Sequence, residues 1–136
     1  VAMQNVSNPF YNKKVLIIDN FGMLSRLYKY ADVTYIGGGF NKSGIHNTLE
    51  APVWGKPVVW GPNYEKFREA KELLAAGGGF TFSTNTELKG ILNLLLQDNE
   101  ACQKAGAASR NYVQQNGGAT QKVMHYIQEN RLLTKP

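Results

Sequence analysis

The chain has 136 residues, the size of one ordinary domain, and 43% of them are hydrophobic, which is enough for a buried core. Its net charge of +5 favours anionic partners, but the lysines and arginines are scattered, which argues against a nucleic-acid-binding groove. No apolar run approaches the roughly 20 residues of a membrane helix, and we expect no signal peptide. The single cysteine, Cys102, excludes an internal disulfide, fits a reducing compartment and argues against a zinc site.

In chain order, residues 1–12 show no useful periodicity and are predicted to be a tail or linker, followed by one domain over residues 13–136. Short apolar runs predict buried parallel strands at residues 15–18, 33–36, 57–60 and 80–82. Helical spacing predicts helices at residues 23–28, 47–54, 65–76, 86–96, 100–115 and 119–130, with Gly117 and Gly118 between the last two. This alternation predicts an α/β, Rossmann-like fold, in which helices cover both faces of an open, mostly parallel sheet. Because four strands are few for such a sheet, we expect the chain to be a fragment of a larger protein.

Glycine-containing turns follow three of the predicted strands, at the edge where open α/β sheets bind ligands. They lie at residues 21–22, 37–39 and 61–62, and the second leads through Gly44 to His46 and Asn47. Glycines let a ligand approach the backbone, and the predicted helix start at Asn47 offers N–H groups to a phosphate, with His46 as a further donor. About one turn further on, Glu50 has two carboxylate oxygens that suit the two hydroxyls of a ribose. The sequence therefore predicts a nucleotide site.

Each of these features also has an ordinary structural explanation. A triple glycine can be a tight turn, Asn47 can cap a helix, and a lone histidine near a turn is often structural. Glu50 can be a first-turn acid stabilised by the helix dipole. Taken singly, these residues leave both explanations open, whereas the order in which they occur is more specific.

Three segments of the chain closely resemble the C-terminal domain of the 3-deoxy-D-manno-octulosonic acid (Kdo) transferases. They are ADVTYIGGGF at residues 31–40, GIHNTLE at residues 44–50 and GKPVVWGP at residues 55–62. The resemblance implies a GT-B fold, in which the active site lies between two Rossmann-like domains. It further implies transfer of Kdo from the nucleotide sugar CMP-Kdo to the lipid A precursor, at the cytoplasmic face of the Gram-negative inner membrane.

The resemblance also implies which residues contact the donor. The family's segment Asn-x-Leu-Glu falls on residues 47–50, and its earlier CMP-contacting turn, usually Met-Gly-Glu, falls on residues 21–23. With the glycine-rich loop, the implied CMP-Kdo-binding residues are Phe21, Gly22, Met23, Gly37, Gly38, Gly44, His46, Asn47, Thr48, Leu49 and Glu50. Met23 replaces the family's acid, Ile45 stands where a second glycine is common, and Thr48 stands where proline is common. These departures concern the local geometry of the loops.

The rest of the enzyme is implied to lie outside this chain. The family's catalytic carboxylate, acceptor surface and membrane anchor belong to the N-terminal domain, so the resemblance assigns no catalytic residue here. It implies a soluble, inactive donor-binding half of a two-domain enzyme. The implied partners are CMP-Kdo, the lipid A precursor through the N-terminal domain, and an anionic membrane surface, without nucleic acid, cofactor or metal. Two alternatives stay open: a GT-B domain for another nucleotide sugar such as a UDP-sugar, and a non-enzymatic basic α/β binding module.

Overall fold

The fold is built on a small parallel sheet. The computed structural model describes residues 14–19 and 21–132, and the sheet within them has three strands in the order β1-β2-β3. Both neighbouring pairs are parallel, and the strands are β1 (Thr34–Ile36), β2 (Val58–Trp60) and β3 (Gly79–Thr81). The same part of the chain forms the helices α1 (Leu24–Leu27), α2 (Arg68–Ala75), α3 (Asn85–Gln97), α4 (Asn99–Asn116) and α5 (Ala119–Glu129). Two 3₁₀ turns, Tyr28–Tyr30 and Pro52–Trp54, lie before and after β1 in the chain.

The central strand β2 is buried on both faces of the sheet. Val58, Val59 and Trp60 are each 0% exposed. Val58 and Trp60 pack in one apolar cluster with Leu73 of α2, whereas Val59 packs in a second cluster with Leu95 of α3. A strand that is apolar at every position is typical of a parallel sheet covered on both faces, because each face needs its own apolar cover. The predicted α/β class, with an open parallel sheet and helices on both faces, is therefore confirmed.

Side-chain caps determine where the two longest helices begin. At the start of α3, the Thr84 hydroxyl accepts the Glu87 N–H at 3.2 Å, while the Glu87 carboxylate accepts the Thr84 N–H at 3.4 Å. This reciprocal pair satisfies two N–H groups that have no partner inside the helix. At the start of α4, Asp98 Oδ1 accepts the Ala101 N–H at 3.0 Å. Both helix starts therefore follow from a few neighbouring residues.

Most predicted elements are found within a few residues of their predicted bounds. The strands predicted at residues 33–36, 57–60 and 80–82 are β1, β2 and β3. The helices predicted at residues 65–76, 86–96, 100–115 and 119–130 are α2 to α5, and the helix predicted at 23–28 is the short α1 with the 3₁₀ turn that continues it. Residues 1–12, predicted as a tail or linker, lie outside the described residues.

The strand predicted at residues 15–18 is wrong. The structure gives this stretch no strand, and Val15, Leu16 and Ile17 are 67–82% exposed. An apolar run becomes a strand only when a neighbouring strand pairs with its N–H and carbonyl groups. No strand in the described ranges pairs with residues 15–18, so three strands are observed there where four were predicted.

The α-helix predicted at residues 47–54 is also wrong. Only the 3₁₀ turn Pro52–Trp54 forms there, and residues 48–51 are bends and turns. The Asn47 side chain accepts the Leu49 N–H at 2.9 Å, and this local hydrogen bond competes with helix formation. Asn47 is therefore not the cap of an α-helix.

Candidate functional site

The chain that follows β1 folds back on itself in a tight hairpin, formed by residues 37–46, which we call the glycine hairpin. At its base, the His46 N–H donates to the Gly37 carbonyl at 3.0 Å. Nearer its tip, the Gly39 N–H donates to the Gly44 carbonyl at 2.8 Å. These two hydrogen bonds hold the two arms of the hairpin side by side at the carboxyl end of β1.

Gly38 explains why this hairpin needs glycine. It forms an antiparallel bridge with Ile45 and has a φ of +82°, which disfavours other residues. A β-carbon on Gly38 would also collide with the Gly44 carbonyl oxygen. Gly38 is therefore required by the geometry of the hairpin itself, whether or not a ligand approaches it.

The base of the hairpin forms part of an open cleft of about 440 Å³, which we call the Glu50 cleft. The residues that line it are Leu24, Tyr28, Tyr35, Ile36, Gly37, His46, Asn47 and Glu50. Of the predicted CMP-Kdo-binding residues, the structure thus brings together Gly37, His46, Asn47 and Glu50. The other wall comes from the helical segment that precedes β1.

A hydrogen bond from Asn47 orients the Glu50 carboxylate in this cleft. Asn47 Nδ2 donates to Glu50 Oε1 at 3.1 Å, while Asn47 Oδ1 accepts the Leu49 N–H at 2.9 Å. The Asn47 side chain is therefore fixed by two hydrogen bonds and holds the carboxylate in one orientation. Among the described residues, no other group donates to this carboxylate, so Glu50 Oε2 is available to accept a hydroxyl.

Tyr28 adds a phenol to the same cleft, and the sequence pattern did not identify it as a site residue. Burial, and secondly the negative charge of Glu50, raise the pKa of Tyr28 above its ordinary value. Like the phenol of any tyrosine, that of Tyr28 is protonated at neutral pH and can donate a hydrogen bond. The segment that carries it is anchored by Trp54, whose Nε1 donates to the Ser25 carbonyl at 2.6 Å. Leu24 and Tyr28 are four residues apart, and this helical spacing is the sequence signal that could have placed both on one wall of the cleft.

The predicted contacts at residues 21–23 do not line the cleft. Phe21 is fully exposed, and Met23 is 44% exposed. Within the described part of the chain, no atom lies within 4 Å of a β-carbon built on Gly22. The three residues directly precede Leu24, which does line the cleft, so the turn lies next to it in the chain. Their contact with a donor stays a prediction.

Thr48 and Leu49 differ from the other predicted residues. Thr48 is 0% exposed, and its hydroxyl has no hydrogen-bond partner in the described ranges, so its side chain faces the interior and is not accessible to a ligand. The Leu49 N–H is taken by Asn47, and its side chain is 38% exposed. Gly38 shapes the hairpin, and Gly44 lines a second pocket at the hairpin tip.

The predicted helix start is absent from this site, so a helix dipole does not supply the phosphate contact. The N–H groups of Asn47, Thr48 and Glu50 have no acceptor among the described residues and are the backbone donors nearest to the carboxylate in the chain. The described residues contain no group of His, Cys, Asp and Glu side chains placed to hold a metal ion. No helix in the described ranges is both long and apolar enough to cross a membrane.

Several known proteins that resemble the chain carry the same name. No protein-family model matches it. A 3-deoxy-D-manno-octulosonic acid transferase of Aquifex aeolicus is 41% identical over 83 residues, which are 60% of this chain and 24% of the relative. The enzymes of that name from Bordetella pertussis and Haemophilus influenzae are 31% and 29% identical over 85% and 88% of this chain. The chain spans about a quarter of the length of these relatives, between 24% and 28%.

A solved structure agrees with the sequence comparison. The crystal structure of the C-terminal CMP-Kdo binding domain of WaaA from Acinetobacter baumannii superposes with a TM-score of 0.64 at 27% sequence identity. The superposition covers 71% of this chain and 51% of that one. By sequence and by fold, the chain thus resembles the C-terminal part of the 3-deoxy-D-manno-octulosonic acid transferases, and its own fold is a Rossmann-like α/β domain.

Proposed function

We propose that this chain is the donor-binding domain of a glycosyltransferase that transfers Kdo from CMP-Kdo to the lipid A precursor in lipopolysaccharide core biosynthesis. The observation that carries the proposal is the Glu50 cleft. In a chain related to Kdo transferases, Asn47 holds the Glu50 carboxylate at 3.1 Å beside Gly37 and His46, at the carboxyl end of β1. That edge of a parallel sheet is where nucleotides bind in open α/β folds.

The cleft offers a separate group to each part of the nucleotide. Glu50 accepts the ribose hydroxyls, with Oε2 available and Oε1 already held by Asn47. Tyr28 donates from the other wall through its phenol, which is protonated at neutral pH. The backbone N–H groups of Asn47 and Glu50, with the His46 ring, donate to the phosphate.

The proposed chemistry makes the nucleotide the leaving group. The acceptor hydroxyl attacks the anomeric carbon of Kdo, the bond from that carbon to the phosphate oxygen breaks, and CMP departs with the electron pair. Fixed N–H dipoles stabilise the charge that develops on the phosphate, since they need little reorganisation during the reaction. The catalytic base and the surface for the lipid acceptor are proposed to belong to another domain.

The proposed setting is the cytoplasmic face of the bacterial inner membrane. The acceptor is a lipid, so the transferase must work at a membrane surface. The chain's net charge of +5 supports this setting, because basic proteins are attracted to anionic lipids. The same charge is too scattered to favour nucleic acid as the partner.

A nucleotide panel tests the proposal directly. The purified chain is titrated calorimetrically with CMP, UMP, AMP and GMP at one salt concentration, and we expect CMP to bind most tightly. If UMP binds more tightly than CMP, the donor is a uridine nucleotide sugar and not CMP-Kdo. Binding of none of the four, with duplex DNA bound in a strongly salt-dependent way, would indicate a basic binding module instead.

A further inference from the structure

A second pocket, of about 400 Å³, lies at the tip of the glycine hairpin, whereas the Glu50 cleft lies at its base. Its walls are the hairpin tip and the loop that follows β2. The lining side chains that matter for its chemistry are those of Asn41, Lys42, Asn63, Glu65 and Lys66. We call it the lysine pocket. Because β1 and β2 are parallel neighbours, both loops lie at the carboxyl edge of the sheet, as the Glu50 cleft does.

Hydrogen bonds tie the two walls of the lysine pocket together. Asn63 Nδ2 donates to the Asn41 carbonyl at 3.1 Å, and the Asn63 N–H donates to the Gly39 carbonyl at 2.9 Å. Below them, Gly44 lies against the ring of Phe67, since a β-carbon on Gly44 would approach a ring carbon to 2.5 Å. The pocket is therefore a defined concavity between two linked loops.

The charges of this pocket suit an anion. Lys42 and Lys66 both line the pocket, and Lys66 Nζ donates to the backbone carbonyl of Lys42 at 3.4 Å. In the described part of the chain, neither ammonium group forms an ion pair with a carboxylate, and Glu65, which also lines the pocket, pairs with neither of them. Two unpaired ammonium groups at a concave surface raise the local concentration of anions.

The Glu50 cleft has the opposite character. Its charged group is a carboxylate, which accepts hydroxyls and repels a second carboxylate. Kdo is a sugar acid, so CMP-Kdo carries a carboxylate that CMP lacks. A donor whose ribose is bound by Glu50 needs a positive site for this second anionic group, and the lysine pocket lies at the other end of the same hairpin.

We propose that the lysine pocket binds the sugar-acid part of the donor, with Lys42 and Lys66 taking its carboxylate. This inference rests on the proposed function. In it, the lysine pocket is the part of the site that distinguishes CMP-Kdo, which carries the sugar-acid carboxylate, from free CMP. Glu65 limits this affinity, because its own carboxylate lies in the same pocket.

The test compares CMP with CMP-Kdo on the purified chain by calorimetry. In the double variant Lys42→Gln/Lys66→Gln, we expect unchanged CMP affinity and about tenfold weaker CMP-Kdo affinity, since each lysine is exposed and an exposed ion pair contributes only about 0.2–1 kcal/mol. The variant Lys42→Arg/Lys66→Arg should keep most of the CMP-Kdo affinity. Glu65→Gln should bind CMP-Kdo about two- to threefold more tightly, because a repulsion of modest size is removed.

Lys71→Gln is the matched control, because Lys71 is an exposed lysine of α2 that does not line the pocket. It should leave both affinities unchanged, and thermal melting should show that all variants fold. Equal loss of CMP and CMP-Kdo affinity in the double variant would mean that the lysines bind the nucleotide phosphate, and unchanged CMP-Kdo affinity would remove the pocket from the donor site. Either result overturns this inference about the lysine pocket. The proposed function is not affected by these results as long as the parent chain binds CMP. A parent chain that binds neither ligand overturns both.

Discussion

At the level of single residues, the Glu50 carboxylate is held through one oxygen by Asn47 and is accessible to a ligand through the other. The substitution Glu50→Gln keeps the shape of the side chain but removes its charge and one acceptor. A hydrogen bond to a charged group contributes about 1.5–3 kcal/mol, so we expect CMP affinity to fall roughly 10- to 100-fold. The free energy of unfolding should change by less than about 0.5 kcal/mol, as for other surface substitutions. Calorimetric titration and denaturant unfolding measure the two quantities.

Glu100→Gln is the control for Glu50→Gln, because Glu100 is an exposed first-turn acid of α4 and lines neither the Glu50 cleft nor the lysine pocket. It should leave CMP affinity unchanged. Comparing CMP with 2′-deoxy-CMP on the parent chain tests the ribose contact separately. If Glu50→Gln binds CMP as the parent does, and 2′-deoxy-CMP binds as well as CMP, Glu50 is not part of the site.

Thr48 gives a second prediction at this scale, because its buried hydroxyl has no partner among the described residues. Thr48→Val keeps the volume and removes the unsatisfied hydroxyl, so the free energy of unfolding should rise by about 1–2 kcal/mol. Thr34→Val is the matched control: Thr34 is also buried, but its hydroxyl donates to the Pro57 carbonyl at 2.8 Å. That variant should lose about 1 kcal/mol. Equal destabilisation of both variants in urea unfolding would show that Thr48 has a partner.

The order of residues along the chain predicted part of this site. Gly37, Asn47 and Glu50 occur in the spacing that the family resemblance identified, and the structure brings them to one cleft. Tyr28 and the lysine pocket were not predicted, because they depend on segments before β1 and after β2 meeting the hairpin in space. The sequence pattern of one segment does not show which distant segments contact it in the folded chain.

At the level of elements, the strands and longer helices were predictable because each has a local cause. The three residues of β2 are all apolar, and α3 begins at a capping box formed by Thr84 and Glu87. The two wrong elements depended on something else. Residues 15–18 lack a partner strand in the described ranges, and at Asn47 a side-chain hydrogen bond replaced the first turn of a helix.

Two helices that pack against the sheet are joined by a polar contact. Tyr112 of α4 donates from its hydroxyl to Glu72 Oε2 of α2 at 2.8 Å, and Arg68 Nε donates to Glu72 Oε1 at 2.6 Å. Burial first, and then the hydrogen bond to Glu72, raise the pKa of Tyr112 to about 12. The pKa of Glu72 is held below its ordinary value, first by Arg68 and then by Tyr112. This contact makes the stability of the α2–α4 packing depend on pH.

The sign of that dependence follows from the direction of the Tyr112 shift. Tyr112 has a folded-state pKa of about 12, above the unfolded value near 10. Its contribution to the free energy of unfolding is therefore complete below about pH 10. The contribution is lost as the pH rises from about 10 to 12. Tyr112→Phe should therefore be less stable than the parent at pH 8, and the difference should shrink above pH 10. Urea unfolding from pH 8 to 12 measures it, with Tyr126→Phe on the exposed part of α5 as control. A constant difference over this range contradicts the prediction.

At the level of the whole molecule, the three strands lie side by side in chain order, so no reversal of strand order occurs within the described sheet. Residues of β1 line the Glu50 cleft, and Leu24 and Tyr28 form its second wall. Open α/β sheets bind ligands at the carboxyl ends of their strands, and the Glu50 cleft lies at the carboxyl end of β1. A cleft beside the first described strand fits the proposed role of a donor-binding half.

This placement predicts that binding and catalysis separate. The purified chain should bind CMP but transfer no Kdo from CMP-Kdo to a lipid A precursor, because the proposed base and acceptor surface belong to another domain. Product formation is followed by chromatography of a labelled acceptor, with a complete transferase such as the Aquifex aeolicus relative as positive control. Measurable Kdo transfer by this chain alone would contradict the prediction and place a catalytic base among its own residues.

The burial of β2 on both faces has a consequence for hydrogen exchange. Its amide groups lie between two parallel neighbours and under two apolar clusters, so local opening cannot reach them. The amide hydrogens of Val58, Val59 and Trp60 should exchange only when the whole domain unfolds, and their rates report its global stability. The amides of Asn47 and Glu50, in an exposed turn, should exchange by small local movements. Nucleotide binding should then slow exchange at the turn far more than in β2, which separates ordering of the site from stabilisation of the fold in a single measurement.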